Sequence, residues 1–94
     1  MFTYIDSLED LSFLNKELLQ KSYLGVDTEF RRTTKDNMKL ALLQVNDGEE
    51  IFLIDAVLIS DPKDNCDFLF SSSVIKIFHS CKEDLEAIYS WTGR

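Results

Sequence analysis

The sequence predicts an α/β domain with a mixed sheet: three antiparallel strands come first, then a strand parallel to one of them, with flanking helices. Three observations carry that expectation. Apolar, β-branched stretches at 22–29, 39–46 and 50–55 are separated by polar, turn-prone segments. Leucines at three- and four-residue spacing mark an amphipathic helix ahead of them. A fourth apolar stretch, Val74 to Phe78, follows a helical crossover, and such connections return parallel and right-handed.

Composition fixes the scale. The chain has 94 residues and is read as one domain over 1–94. That length buries about 60% of the unfolded surface, enough for a modest core without staples. Only three Gly and one Pro argue against disorder. The net charge is −7, and residues 48–94 hold four Lys or Arg against nine Asp or Glu. This excludes a broad phosphate-binding surface, but not nucleic acid held through metal ions and a few local cations. Cys66 and Cys81 form no CxxC and read as reduced thiols. His79-Ser80-Cys81 offers two zinc-type ligands at a poor spacing with nothing to complete a site. The N-terminus lacks a signal-peptide pattern and no apolar run could span a bilayer. The expected location is cytoplasmic, with no membrane partner.

The elements follow in order. Phe2 to Ile5 reads as a short edge strand. Ser7 then caps a helix running to about Gln20 or Lys21, with Glu9 and Asp10 in its first turn, where the helix dipole favours acids. Leu8, Leu11, Leu14, Leu18 and Leu19 form its buried face. The central strand, Tyr23 to Glu29, leads into Arg31-Arg32-Thr33-Thr34-Lys35-Asp36-Asn37, a basic, turn-prone segment. Lys39 to Val45 is apolar on both alternations, as in a strand covered on both faces. Asn46-Asp47-Gly48 marks a hairpin, because these residues tolerate the positive φ of tight turns. Ile51 to Ile54 is its partner strand. Pro62 suits a first helical position, so a short helix is expected there, anchored by Phe68, Leu69 and Phe70. Ser80 and Glu83 read as a capping box for a last helix from Cys81 to about Trp91, with Leu85, Ile88 and Tyr89 as its apolar face.

The chemistry centres on Asp27 and Glu29. Strand side chains alternate, so both carboxylates project to one face of an apolar strand. Their repulsion is roughly 3 kcal/mol at about 5 Å and an effective dielectric near 20. A solvated strand end, a basic neighbour or a divalent cation would each offset it. Asp84 stands in the first turn of the last helix, a routine place for an acid. If Val74 to Phe78 lies beside the central strand, that turn can bring Asp84 close to Asp27 and Glu29. Three converging acids without a cationic side chain would form a metal site.

These residues resemble a known family. Asp27-Thr28-Glu29-Phe30 after a Gly-Val strand is similar to the first exonuclease motif of the ribonuclease D type, in the DEDD superfamily of 3′→5′ exonucleases. Leu40 to Val45 and Leu53-Ile54-Asp55 resemble that family's second and third strands. His79 to Glu86 resembles its second motif, in which a strand and a His lead to the catalytic Asp. The match runs from about Tyr4 to Arg94.

The resemblance implies a ribonuclease H-like fold and a two-metal mechanism that hydrolyses RNA 3′ ends, with transfer RNA 3′ processing as the suggested role. By it, Asp27, Glu29 and Asp84 are catalytic and bind two Mg²⁺ or Mn²⁺ ions, while Thr28, Phe30 and His79 contact substrate. Phe30 is equally well read as core, and Arg31 and Arg32 read either as cations that meet phosphate or, the more frequent case, as solvated loop charges. The family also has a fourth carboxylate, an Asp four residues after a Tyr or His. Beyond Asp84, Tyr89 is followed at that spacing by Gly93. The chain therefore reads as the N-terminal part of the exonuclease domain, truncated before the last strand and helices and inactive alone. Its last strand would be an exposed edge open to pairing with a second copy. The alternative is a non-catalytic nucleic-acid- or partner-binding module derived from an exonuclease.

Overall fold

Period-two alternation along the strands sorts this chain into a covered face and an open one. The computed structural model describes residues 1–34 and 37–94, with the side chains of 33–37 left aside. Its elements are β1 (Phe2–Ile5), α1 (Leu8–Leu18), β2 (Tyr23–Thr34), β3 (Asn37–Asn46), β4 (Ile51–Asp55), α2 (Asp67–Phe70), β5 (Ile75–Phe78) and α3 (Cys81–Thr92). The sheet order is β1-β4-β3-β2-β5. β2, β3 and β4 form the expected antiparallel meander, and β5 returns parallel to β2. β1 pairs in parallel with β4 at the opposite edge.

On one face, Leu24 and Val26, Leu43 and Val45, and Phe52 and Ile54 are buried against Leu11, Leu14 and Leu18 of α1 and Ala87, Ile88 and Trp91 of α3. Each Val, Leu, Ile or Phe among them contributes about 1.5–3 kcal/mol by leaving water. On the other face, Phe2, Tyr4, Tyr23, Ile75 and Ile77 are each more than half exposed. β5 is thus an edge strand with an apolar outer row.

Local chemistry explains the ends of the elements. Ser7 Oγ accepts the Asp10 amide at 3.2 Å, the expected N-cap. α1 stops at Leu18, short of Lys21, because the amides of Gln20 and Lys21 bond back to the carbonyls of Glu17 and Leu18 in a tightened turn. Gly48 adopts φ 99°, and Asp47 Oδ1 accepts the amides of Glu49 and Glu50 at 2.9 and 2.8 Å, which closes the hairpin.

Four expectations need correction. The segment from Arg31 onward is not a loop: β2 continues to Thr34 and β3 begins at Asn37, as ladder pairing carries the hairpin outward. Lys35 and Asp36, the middle of the expected turn, lie outside the described residues. Pro62 does not open a helix; its carbonyl accepts the Asn65 amide in a turn, and α2 is a single turn from Asp67. There Asn15 of α1 supplies the cap, its Oδ1 accepting the Phe68 amide at 3.1 Å. At α3 the Ser80 side chain makes no cap bond. Instead the Ser80 amide donates to Asp84 Oδ2 at 3.2 Å. The buried stripe of α3 is Asp84, Ala87, Ile88 and Trp91, leaving Leu85 and Tyr89 exposed. Trp91 sets that rotation, donating from Nε1 to the Ile59 carbonyl at 2.6 Å.

Candidate active site

The site forms where β5 stops accompanying β2. Their pairing ends at Val26 opposite Phe78, so β2 runs on with a free edge from Asp27. The chain leaves β5 through His79 and Ser80 and enters α3. Asp27 and Glu29 lie on the open face and are exposed. Asp27 Oδ1 accepts the Thr28 amide at 2.9 Å. Thr28 turns the other way, toward the helices, and its hydroxyl donates to Asp84 Oδ1 at 2.5 Å.

Asp84 is 2% exposed, a nearly complete burial for a carboxylate, and both oxygens are hydrogen-bonded. Its place in the first turn of α3 sets it in the favourable field of the helix N-terminus. No buried side-chain polar atom lacks a partner among the described residues.

α3 therefore brings Asp84 to the residue adjoining Asp27, but onto the opposite side of the strand from Asp27 and Glu29. Among the described residues, no three His, Cys, Asp or Glu side chains gather into a group able to hold a metal ion. The physical reason is the alternation itself: a carboxylate bonded to Thr28 stands on the helix-covered side. The donors are nonetheless all carboxylate oxygens, the ligand type that Mg²⁺ and Mn²⁺ take.

His79 is exposed and lines an open cleft of about 320 Å³ with Asp27, Gln44 and Phe78. Phe30 is half-buried and packs against the core. Gln44, opposite Asp27 in the ladder, escaped sequence reasoning. With 31–37 expected as a loop, there was no paired turn to count from. The ladder shifts register twice, between Arg32 and Thr34 and between Glu29 and Phe30. The two shifts cancel, so Thr34 opposite Asn37 and Asp27 opposite Gln44 keep one count. The Thr28 hydroxyl was missed as the partner of Asp84: the resemblance assigned Thr28 to substrate, and the two residues lie 56 positions apart.

The mixed sheet with helices against one face is the fold of solved ribonuclease D exonucleases. Escherichia coli RNase D, described as an exoribonuclease involved in structured RNA processing, superposes with a TM-score of 0.82 and 30% identity over 100% of this chain and 25% of that one. Trypanosoma brucei RNase D, solved in complex with RNA U12, gives 0.80 at 22% identity over 98% of this chain and 34% of that one, a likeness of fold alone. A Shewanella ribonuclease D is 38% identical over 94 residues, 100% of this chain and 24% of its own length. This chain belongs to the 3′-5′ exonuclease family, whose model matches residues 2–93. It spans about a quarter of the length of the Shewanella relative.

Proposed function

We propose that the chain forms the N-terminal part of the catalytic domain of a ribonuclease D-type 3′-5′ exoribonuclease. In this reading the complete domain trims RNA 3′ ends, including those of transfer RNA, in the cytoplasm. The supporting observation is the Asp27–Glu29 pair on the open face of β2, with Asp84 anchored at the intervening Thr28.

In the complete domain Asp27 and Glu29 of the open face, with Asp84 from across Thr28, would hold the Mg²⁺ or Mn²⁺ ions, although the three are not gathered into a cation site among the described residues of this chain. The ions' Lewis acidity would activate water and the phosphodiester. The chain's own residues do the positioning. The Thr28 hydroxyl and the Ser80 amide fix the orientation of the Asp84 carboxylate. His79, beside Asp27 in the cleft, orients the terminal nucleotide by hydrogen bonding. Phe30 keeps β2 seated on the core, so Asp27 and Glu29 are presented from a fixed strand.

Phosphate brought by cations reconciles an RNA substrate with a net charge of −7. In this reading the 94-residue chain is inactive alone, because the fourth carboxylate and the general base lie elsewhere in the complete domain. The test is to express the complete coding sequence and follow a labelled single-stranded RNA. Stepwise 3′ shortening with Mg²⁺ that stops in EDTA supports the reading. No Mg²⁺-dependent shortening, together with a stable homodimer of this chain paired through β5, supports instead a binding module.

A further inference from the structure

A basic feature lies further along the β2–β3 hairpin, where β4 parts from β3. Asp55 is the last β4 residue paired with β3, and the Ala56 amide closes onto the Ala41 carbonyl at 3.0 Å. Beyond that point the outer edge of β3 is free. Arg31 and Lys39 stand directly opposite one another across β2 and β3, both exposed. Like charges so placed repel. Neither has an ion-pair partner among the described residues, whereas the neighbouring Arg32 meets Glu86 at 3.6 Å. The pair borders a hollow of about 430 Å³ whose other wall is mostly apolar, Leu40, Ala41, Ala56, Val57 and Trp91, with the hydroxyl residues Ser60 and Ser90 among them. The Trp91 ring is held in place there by its bond to the Ile59 carbonyl.

Two unpaired cations beside a mostly apolar wall suit a ligand that is anionic at one end and flat and apolar at the other. A nucleotide unit has that form. Arg31 lies four residues beyond Asp27 on the same face, about 13 Å along an extended strand. That distance is about four steps at a stacked rise near 3.4 Å per nucleotide, and fewer in an extended strand.

Resting on the exoribonuclease reading, we propose that Arg31, Lys39 and the hollow beside them form a second subsite for single-stranded RNA. It holds a phosphate and a base a few nucleotides 5′ of the one at Asp27. The cations grip the phosphate, and the apolar wall receives the base.

The test uses fluorescence anisotropy in EDTA, with the 94-residue protein and oligouridylates of two and eight nucleotides. The parent should bind the eight-mer more tightly than the two-mer. R31Q/K39Q should lose about tenfold in affinity for the eight-mer and nothing for the two-mer. The slope of log affinity against log salt should fall by about 1.4, for two cations at about 0.7 each. The variant should melt no lower than the parent, since a repulsive pair has been removed. Unchanged eight-mer affinity and salt slope in R31Q/K39Q would overturn the subsite, as would a parent that ignores the eight-mer. Melting with Mn²⁺ separates the two ideas. If the parent gains stability from Mn²⁺ but its RNA binding ignores R31Q/K39Q, the subsite falls and the exonuclease reading stands. A parent indifferent to Mn²⁺ whose eight-mer binding still falls in R31Q/K39Q loses the metal assignment and keeps the RNA subsite.

Discussion

Leu43 and Gln44 are neighbours on β3, yet Leu43 is fully buried beneath the helices while Gln44 lines the open cleft with Asp27. The same contrast runs along β2, where Val26 and Thr28 face the helices and Asp27 and Glu29 face away. One backbone thus separates two duties by alternation: the covered face supplies stability, and the open face carries the side chains available for chemistry. Asp84 is the exception, a carboxylate kept on the covered side by Thr28 and Ser80.

The largest expected effects lie on the covered face. Leu43→Ala or Phe68→Ala should cost about 2–5 kcal/mol in urea unfolding, from lost burial plus the cavity left behind. Ile77→Ser on the open face should stay within about 0.5 kcal/mol. A cost for Ile77→Ser as large as for Leu43→Ala would show that the two faces do not differ as described.

Next comes the exception. Asp84→Ala strands the Thr28 hydroxyl and the Ser80 amide, so it should destabilise by about 1–3 kcal/mol. Asp27→Ala, at an exposed position, should cost within about 0.5 kcal/mol. Asp84→Asn keeps an acceptor and should fall between them. Equal stabilities for Asp84→Ala and Asp27→Ala would remove the structural role assigned to Asp84.

Legibility in the sequence followed the same division. The meander, the parallel return of β5 and the α1 stripe were readable, because period 2, period 3.6 and the Asn46-Asp47-Gly48 turn are local signals. Asp27 and Glu29 sharing a face was readable for the same reason. The rotation of α3 was not, since Leu85 and Tyr89 look as apolar as Ile88, and the decision rests on the distant carbonyl of Ile59. Nor was the cap of α2 visible, because Asn15 and Phe68 are 53 residues apart. The Thr28–Asp84 bond likewise joins positions 56 residues apart.

Smaller effects appear in pH and thiol chemistry. On the open face the Tyr4 hydroxyl donates to Asp55. That bond is the main cause holding the Asp55 carboxyl below its usual 3.8, helped by the Leu58 amide. The same bond is the main cause raising Tyr4 above its usual 10.0. The Asp55 contribution is present above about pH 4 and is lost as pH falls through the lowered folded value. The Tyr4 contribution is present below about pH 10 and is lost as pH rises through the raised one. Tyr4→Phe should therefore flatten both limbs of the melting temperature against pH; unchanged limbs would dismiss the bond. Burial pushes the Cys66 thiol up to about 12, while Cys81 is exposed. A maleimide at pH 8 should label Cys81 at once and Cys66 only on unfolding, as peptide mapping would read out.

The proposal on which the rest depends is that the carboxylates around β2 and the start of α3 supply a divalent-cation site. Its most direct measurement is the melting temperature of the 94-residue chain titrated with Mn²⁺, beside Asp27→Ala. At ten times the dissociation constant the parent should gain about 1.4 kcal/mol, a rise of several degrees. Asp27→Ala should show none. A parent whose melting temperature ignores Mn²⁺, or an Asp27→Ala variant that rises equally, would contradict the account.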